Sequence, residues 1–230
     1  MALILNLETA TTVCSVALAG DGQLLALKEQ DGDYSHAENL TLFIEDAMKQ
    51  TGAKFADIDA VSISKGPGSY TGLRIGVSTA KGLCYSLNKP LIAIDTLQYL
   101  SRVVSQKKQI KSALFCPMFD ARRMEVYCAI YDSSNKIIKP TAAEIIDENS
   151  FAHLLSKNVI YFFGNGAGKC KKVLAGNKNA VFIDEIVPSA ADMITLSEEA
   201  FKNKIVEDVA YFEPFYLKDF IVGKKKKAID

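Results

Sequence analysis

The sequence of 230 residues has few of the side chains that most often build metal or disulfide sites. There are only two histidines, His36 and His153, and they are far apart in the chain. The five cysteines are odd in number and include no C-x-x-C pair: Cys14, Cys84, Cys116, Cys128 and Cys170. A zinc site or a disulfide framework is therefore not expected, and buried reduced thiols in a cytosolic protein are favoured.

The chain also lacks an excess of charge and long apolar runs. Lys and Arg together number 27, as do Asp and Glu, so the surface as a whole offers no general attraction for nucleic acid. No stretch reaches the roughly 18–20 apolar residues of a membrane span. The N-terminus enters a strand pattern without a basic segment or a cleavage site. A cytoplasmic globular protein without membrane contact is therefore predicted.

The most informative stretch is residues 60–88, AVSISKGPGSYTGLRIGVSTAKGLCYSLN. An alternating strand at 60–64 precedes a loop in which Gly66 and Gly68 allow positive φ and close backbone approach. A helix is predicted from about Thr71. Its core stripe consists of apolar residues at spacings of four and three: Leu73, Val77, Ala80, Cys84 and Leu87.

A second stripe of this helix is made of small residues and one leucine: Gly72, Gly76, Thr79 and Leu83. Each glycine inside a helix costs about 1 kcal/mol relative to alanine, so the stripe indicates a close approach by another chain segment. Two interpretations stay open. The stripe contacts a partner protein, or it packs tightly against the sheet of its own domain.

The glycine loop matches neither familiar phosphate-binding motif. A P-loop requires Gly-Lys-Ser/Thr at its end, but Gly72 is followed by Leu73 and Arg74. In the dinucleotide fingerprint a glycine stands three residues after Gly68, where this chain has Thr71. The start of a helix after such a loop can still receive an anion. Gly66 and Gly68 are therefore kept as candidate residues of an anion- or nucleotide-binding loop, which the family resemblance named below implies to be vestigial.

The rest of the chain divides into two similar units, each with three strands followed by alternating helices and strands. The first unit begins with strands near 2–9, 12–18 and 24–29 and a helix starting at the capping box Ser35–Glu38, on which Leu42 points outward. The second has strands near 112–119, 124–131, 136–139, 159–163 and 180–183, and helices near 150–157, near 168–175 and from the cap at 189–192. Two α/β domains are therefore predicted, at 1–104 and 105–212, with a C-terminal segment at 213–230.

The second unit has its own glycine turn between a strand and a helix. Gly164 and Gly166 lie in it, and Lys169 follows. A P-loop would need glycine at Phe163 and Ser or Thr at Cys170, so ordinary turn chemistry is favoured over nucleotide binding.

Four segments in this order resemble the TsaB (YeaZ) family: NLETATTVCSVAL, KGPGSYTGLRIGVSTAKGL, DARRMEVY and EPFYLKD. The resemblance implies two tandem ribonuclease H-like domains of the actin-like ATPase superfamily. It implies a role in making the threonylcarbamoyl modification of the tRNA adenosine beside the anticodon. The implied partners are the catalytic subunit TsaD and the small ATPase TsaE, with tRNA bound through the complex. The resemblance implies no cofactor of its own, and a nucleotide at the subunit interface stays an open alternative.

The catalytic relative TsaD holds a metal through two histidines spaced i, i+4 on a helix. This chain has Leu40 four residues after His36 and Lys157 four residues after His153. Neither metal binding nor catalysis by this chain alone is therefore expected.

Two further sites are kept as candidates with an alternative beside each. Glu8 stands where nucleotide-binding superfamily members carry an acidic residue, and the alternative is a polar turn residue. A run of four lysines near the C-terminus could contact tRNA phosphates, and the alternative is a solvated tail. These lysines are Lys224, Lys225, Lys226 and Lys227.

The leading hypothesis is a non-catalytic scaffold that binds and activates TsaD. Its interface would be formed by the helices near 36–50 and 72–87, through Leu42 and the small stripe, and the same face would form homodimers when TsaD is absent. A Gly76→Leu change is expected to disrupt assembly and leave the monomer folded. The rivals are an ATP-dependent phosphotransferase of the same fold and a metallopeptidase.

Overall fold

The first half of the protein is built on a five-stranded mixed sheet. The computed structural model describes residues 2–32, 36–110 and 112–218. The strands are β1 (Leu3–Glu8), β2 (Val13–Gly20), β3 (Gln23–Asp31), β4 (Ala60–Gly66) and β5 (Leu91–Asp95). Their spatial order is β3-β2-β1-β4-β5, with β1 to β3 antiparallel and β4 and β5 parallel to β1.

The second half repeats this arrangement around its own central strand. The strands are β6 (Leu114–Asp120), β7 (Glu125–Asp132), β8 (Ile137–Ile145), β9 (Ile160–Phe163) and β10 (Ala180–Ile183). The order β8-β7-β6-β9-β10 places β6 where β1 lies in the first sheet, with the same pattern of antiparallel and parallel pairs. The predicted duplicated α/β fold is confirmed.

Helices cover the outer face of each sheet and fill the space between the two sheets. They are α1 (His36–Thr51), α2 (Tyr70–Leu87), α3 (Thr96–Lys108), α4 (Ala152–Leu155), α5 (Ala167–Leu174) and α6 (Ile194–Lys202). The first sheet packs its outer face on α1 and α2, and the second packs its outer face on α4 and α5. Helices α3 and α6 share one apolar cluster with the inner faces of both sheets.

This layering explains the burial pattern of the strands. Every residue of β1 and β2 is buried, because both faces of the first sheet are covered. The predicted core stripe of α2 is buried at Leu73, Val77, Ala80 and Cys84. All five cysteines are free and buried, as expected.

The structure extends one predicted strand and shows which element contains the predicted domain boundary. Strand β8 continues to Ile145 because it pairs with β7 along most of its length, including two irregularities in register. The predicted domain boundary at 104/105 falls inside α3, which packs against strands of both sheets. Within the described residues, no helix has both the length and the apolar character needed to cross a membrane.

Residues 206–218 form a C-terminal strap that runs along α2 and ends on the second half. Its contacts are Glu207 N–H with Leu91 O (2.8 Å), the Lys81 ammonium with Ala210 O (3.1 Å) and Phe212 O (2.8 Å), Phe215 N–H with Lys65 O (2.8 Å), and an ion pair between Lys218 and Glu125. The strap therefore lies against α2 in the first half and reaches β7 in the second.

Two of the sequence predictions fall on residues that the structure does not describe. Ser35, the first residue of the predicted capping box, is one of them. The candidate tRNA contacts also lie outside the described residues: Lys224, Lys225, Lys226 and Lys227. Their proposed contact with tRNA therefore stays a prediction.

Candidate functional site

The turn between β1 and β2 is closed by internal contacts around Glu8. This side chain is completely buried, and its two carboxylate oxygens accept hydrogen bonds from the Ala10 N–H and from the Tyr99 hydroxyl of α3. Burial raises the pKa of Glu8 to about 7, although hydrogen bonds from Tyr99, Ala10 and Ser64 oppose the shift. These internal contacts favour the alternative of a polar turn residue over a nucleotide contact.

Three glycines at spacings of four let the same turn lie directly on the start of α2. A Cβ on Gly68 would lie 2.2 Å from Ala10 O, and one on Gly72 would lie 2.1 Å from Thr9 O. At Gly76 the Cβ would lie 2.2 Å from the Thr9 hydroxyl oxygen. Real Cβ atoms essentially never come so close to another heavy atom, so a side chain at any of these three positions would force the packing to shift.

This packing corrects the assignment of Gly72 and Gly76 to a partner interface. Both residues are buried and face the β1–β2 turn of their own domain, which is the second of the two interpretations of the small stripe. A Gly76→Leu side chain would overlap Thr9 and Ile63, so this variant is now expected to destabilise the monomer as well as any assembly.

The loop before α2 is also occupied from within the chain. Gly66 has φ of +109°, which glycine tolerates, and its N–H donates to the Thr96 hydroxyl at 3.2 Å. A Cβ there would lie 3.0 Å from both Leu73 Cδ1 and the Phe215 carbonyl of the strap. Ser69 N–H donates to Ala10 O at 2.7 Å, and the Ser69 hydroxyl caps α2 by accepting from Gly72 N–H. Packing therefore accounts for Gly66 and Gly68.

The glycine turn of the second half packs on the end of β6. Cβ atoms on Gly164 and Gly166 would lie 2.6 Å from Met118 O and 2.7 Å from the Phe119 carbonyl carbon. Gly166 N–H donates to Met118 O at 2.9 Å. These contacts are those of a tight strand-to-helix turn.

A cleft of about 290 Å³ separates this turn from the β1–β2 turn. Its lining includes Thr11, Thr12 and Asn165 together with the carboxylate residues Asp31, Asp184 and Glu185. Lys169 donates instead to Asp120 Oδ1 (2.8 Å) and to the Glu125 carbonyl (2.6 Å), and it does not line the cleft. Three acidic residues in the lining oppose a bound polyphosphate.

The hairpin between β6 and β7 has an unusual backbone. Arg122 and Arg123 both have positive φ, +69° and +46°, and both are exposed. Each left-handed non-glycine residue costs roughly 1–2 kcal/mol. Arg122 N–H donates to Asp120 Oδ1 at 2.6 Å, and Ala121 N–H closes the turn on Glu125 O at 3.1 Å.

The outer surface of α1 and α2 carries apolar groups that the domain does not fully cover. Leu42 is 55% exposed, as the helical phase predicted, and the Glu45–Lys49 ion pair lies on the same helix at 3.4 Å. Thr79 and Leu83 of α2 are half-buried, as are Phe43 and Ile75. We call Leu42, Phe43, Ile75, Thr79 and Leu83 the α1–α2 face.

A cationic and aromatic group lies where the strap crosses the start of α2. The rings of Tyr70 and Tyr216 are 5.1 Å apart, and the Arg74 guanidinium lies 4.3 Å from the centre of the Tyr70 ring. Arg74 Nε also donates to the Tyr216 hydroxyl at 3.4 Å. Nothing in the sequence pattern indicates this group, because Arg74 and Tyr216 are 142 residues apart.

The two histidines lie in separate halves. His36 Nε2 is 2.7 Å from Thr11 O at the start of α1, and His153 lies on α4. Among the described residues, no group of three or more His, Cys, Asp or Glu side chains is arranged to hold a metal ion.

Solved structures share this architecture. YeaZ from Pseudomonas aeruginosa superposes with a TM-score of 0.80 at 24% identity, covering 94% of this chain and 100% of that chain. The inorganic polyphosphate/ATP-glucomannokinase from Arthrobacter sp. strain KM has a TM-score of 0.51 at 10% identity, covering 88% and 100%. Together with the repeated sheet order, they define the class as an α/β protein with two tandem ribonuclease H-like units, the actin-like ATPase fold.

Sequence comparison narrows this class to a family. A family model described as "TsaD: tRNA N6-adenosine threonylcarbamoyltransferase" matches residues 31–226. The tRNA threonylcarbamoyladenosine biosynthesis protein TsaB of Escherichia coli (strain K12) is 29% identical over 235 residues, covering 96% of this chain and 97% of the relative. The chain belongs to the family that this model describes, and its resemblance to the TsaB (YeaZ) proteins is confirmed.

Proposed function

We propose that the chain acts in tRNA threonylcarbamoyladenosine biosynthesis as a non-catalytic subunit that binds and activates a TsaD-type transferase. One observation carries the proposal. The groups that could have served a nucleotide, Glu8 and the four loop glycines, are engaged in packing, whereas the α1–α2 face leaves apolar surface uncovered. A protein whose described residues include no evident catalytic group but which has an open helical face is suited to binding a partner.

The proposed interface is the α1–α2 face. Leu42 is its most exposed apolar side chain, and Thr79 and Leu83 extend the surface onto α2. Gly72 and Gly76 contribute indirectly, because they seat α2 against the β1–β2 turn and so fix the angle at which its outer side is presented. A rigid helix pair costs little entropy on binding.

The wider assembly would consist of the partners that the family resemblance implies. TsaD would supply the transferase chemistry, a TsaE-type ATPase would join the pair, and tRNA would bind through the complex. In the absence of TsaD, the same apolar face would pair two copies of this chain. A nucleotide held between subunits would need groups from the partner, because Lys169 is already engaged with Asp120 and Glu125.

The lysine run near the C-terminus is proposed as a further tRNA contact within this assembly. Each lysine that neutralises a phosphate releases counterions, so the contribution of the run should be largest at low salt. The run consists of Lys224, Lys225, Lys226 and Lys227. If the complex bound tRNA equally well at low salt after all four were changed to glutamine, this contact would be refuted.

A Leu42→Asp variant tests the interface. Leu42 is exposed, so the change should alter the stability of the monomer by less than about 0.5 kcal/mol. In the interface it would bury a carboxylate without a partner, so affinity for the TsaD-type protein should fall at least tenfold. The measurement is copurification and titration of the two proteins, with Ile145→Asp as the control, because Ile145 is 76% exposed on β8 of the second half.

Reconstitution tests the activating role. A TsaD-type protein, a TsaE-type ATPase, tRNA and the threonylcarbamoyl-adenylate donor should yield modified tRNA when the native chain or the Ile145→Asp variant is added, and far less with Leu42→Asp. Equal yields with Leu42→Asp would refute the interface, and equal yields without any added chain would refute the activating role.

A further inference from the structure

The hairpin of residues 120–125 presents two arginines whose charge its own carboxylates do not offset. Asp120 is paired with Lys169 at 2.8 Å, and the Glu125 carboxylate is paired with Lys218 of the strap. Arg122 and Arg123 lie in the turn between β6 and β7, and both are exposed. Together with the paired Lys169 and Lys218, the four charged residues of the hairpin sum to +2, although the whole chain has no net charge.

The cationic and aromatic group at the start of α2 continues this surface. The ion pair of Glu125 with Lys218 joins the hairpin to the strap, and Tyr216 lies two residues before Lys218. Tyr216 contacts both Tyr70 and Arg74, and both tyrosines are half-buried. Glu213 is close enough to act on the Arg74 charge, and Arg74 remains exposed.

The composition of this surface matches the chemistry of RNA. Guanidinium groups pair with phosphodiester oxygens, and bases or ribose faces stack on tyrosine rings and on arginine planes.

We infer that Tyr70, Arg74, Arg122, Arg123 and Tyr216 form an RNA-docking surface. Arg122 and Arg123 contact backbone phosphates, and the Tyr70–Arg74–Tyr216 group contacts a base or ribose. The proposed function identifies the RNA as the tRNA substrate, and the inference rests on it for that identity. The surface lies where the strap crosses from α2 to β7, and its residues are distinct from those of the α1–α2 face.

The test is an Arg122→Gly/Arg123→Gly double variant. Glycine adopts both positive φ values without steric cost, so the hairpin of the variant should be at least as stable as that of the native chain. Binding of an unmodified tRNA transcript is titrated at 50 and 200 mM KCl, with the chain alone and with its complex with the TsaD-type protein. Loss of two phosphate contacts should weaken binding about tenfold at 50 mM and lower the salt slope by roughly 1.5. Arg74→Gln should weaken it about threefold.

The control is Lys157→Gln/Lys178→Gln, which removes two exposed charges, one after α4 and one just before β10. It should leave tRNA affinity unchanged. Native affinity and salt slope in the glycine double variant would overturn the inference. So would an equal loss for a duplex DNA of similar length, which would show a general polyanion site, or a loss of TsaD binding with tRNA affinity intact, which would show a protein interface. Failure of the proposed function would instead appear as an equal yield of modified tRNA when no chain is added.

Discussion

Glu8 and Asp120 occupy the same position in the two halves, yet their surroundings are opposite. Each is the last residue of the central strand of its sheet, β1 or β6. Glu8 is fully buried, and burial raises its pKa to about 7. The side chain of Asp120 is 50% exposed, and although burial opposes it, hydrogen bonds from Lys169 and from Arg122 N–H lower its pKa. The end of the central strand is therefore buried in the first half, whereas in the second half it remains partly exposed to solvent.

The helices that follow the glycine turns explain the difference. Helix α2 has 18 residues. The glycine spacing of four that begins at Gly68 continues within this helix at Gly72 and Gly76, so the β1–β2 turn packs directly on its surface. Helix α5 has eight residues, and a Cβ on its Gly168 would meet nothing within 4 Å. Lys169 of α5 reaches the carboxylate that remains in solvent. In this family member, a closely packed turn and an open helical face occur in the same half.

The largest expected effect comes from comparing two variants, Gly72→Ala in the first half and Gly168→Ala in the second. At Gly72 the methyl group would lie 2.1 Å from a backbone oxygen that cannot rotate away, so α2 must shift. We expect a loss of about 4 kcal/mol in the free energy of unfolding, above the usual range for overpacked cores. Gly168→Ala should be neutral or stabilising by up to about 1 kcal/mol. Urea unfolding of both variants measures the difference.

A second control lies inside α2 itself. Gly82 is exposed and has open space around its Cβ position, so Gly82→Ala should stabilise the protein by a few tenths to about 1 kcal/mol. If Gly72→Ala changed the free energy of unfolding as little as Gly82→Ala, the β1–β2 turn would not pack closely on α2. The contrast between the two halves would then be lost.

The next test concerns the buried carboxylate. Glu8→Gln keeps a group of the same shape between Ala10 N–H and the Tyr99 hydroxyl, and it removes the titration. The folded native protein holds the Glu8 proton up to about pH 7, whereas an unfolded glutamate loses it near 4.5. The contribution of Glu8 to stability is therefore greatest at low pH, and it is lost as the pH rises from about 4.5 to 7, by about 2–3 kcal/mol.

The measurement is the free energy of unfolding at pH 5 and pH 8 for the native chain and for Glu8→Gln. The native protein should lose more stability between these values than the variant, by the amount given above. Parallel pH dependences would mean that Glu8 stays ionised and hydrated in the folded protein, contrary to its complete burial.

The sequence predicted the elements well because their signals are local. Period-two and helical patterns, with glycine between them, gave the order of strands and helices and the outward position of Leu42. The same patterns could not show what the stripe of Gly72 and Gly76 packs against. Small residues on a helix have the same spacing whether their close neighbour is a partner protein or a turn of the same chain. Nor could these patterns join Glu8 to Tyr99, which is 91 residues away. The contact between Glu8 and Tyr99 forms only when α3 packs between the two sheets.

The smallest effect is expected for Asp120→Asn, at the partly exposed end of β6. Its pKa is lowered in the fold, so its carboxylate stabilises the protein above the ordinary pKa near 4, and this contribution is lost as the pH falls below that value. Because Asp120 is half exposed, solvent screens its pair with Lys169, and we expect a loss of only a few tenths of a kcal/mol at pH 7. A double-mutant cycle with Lys169→Gln in urea unfolding measures the coupling. A coupling above about 2 kcal/mol would mean that the second half is closed as tightly as the first, since such energies belong to pairs removed from water.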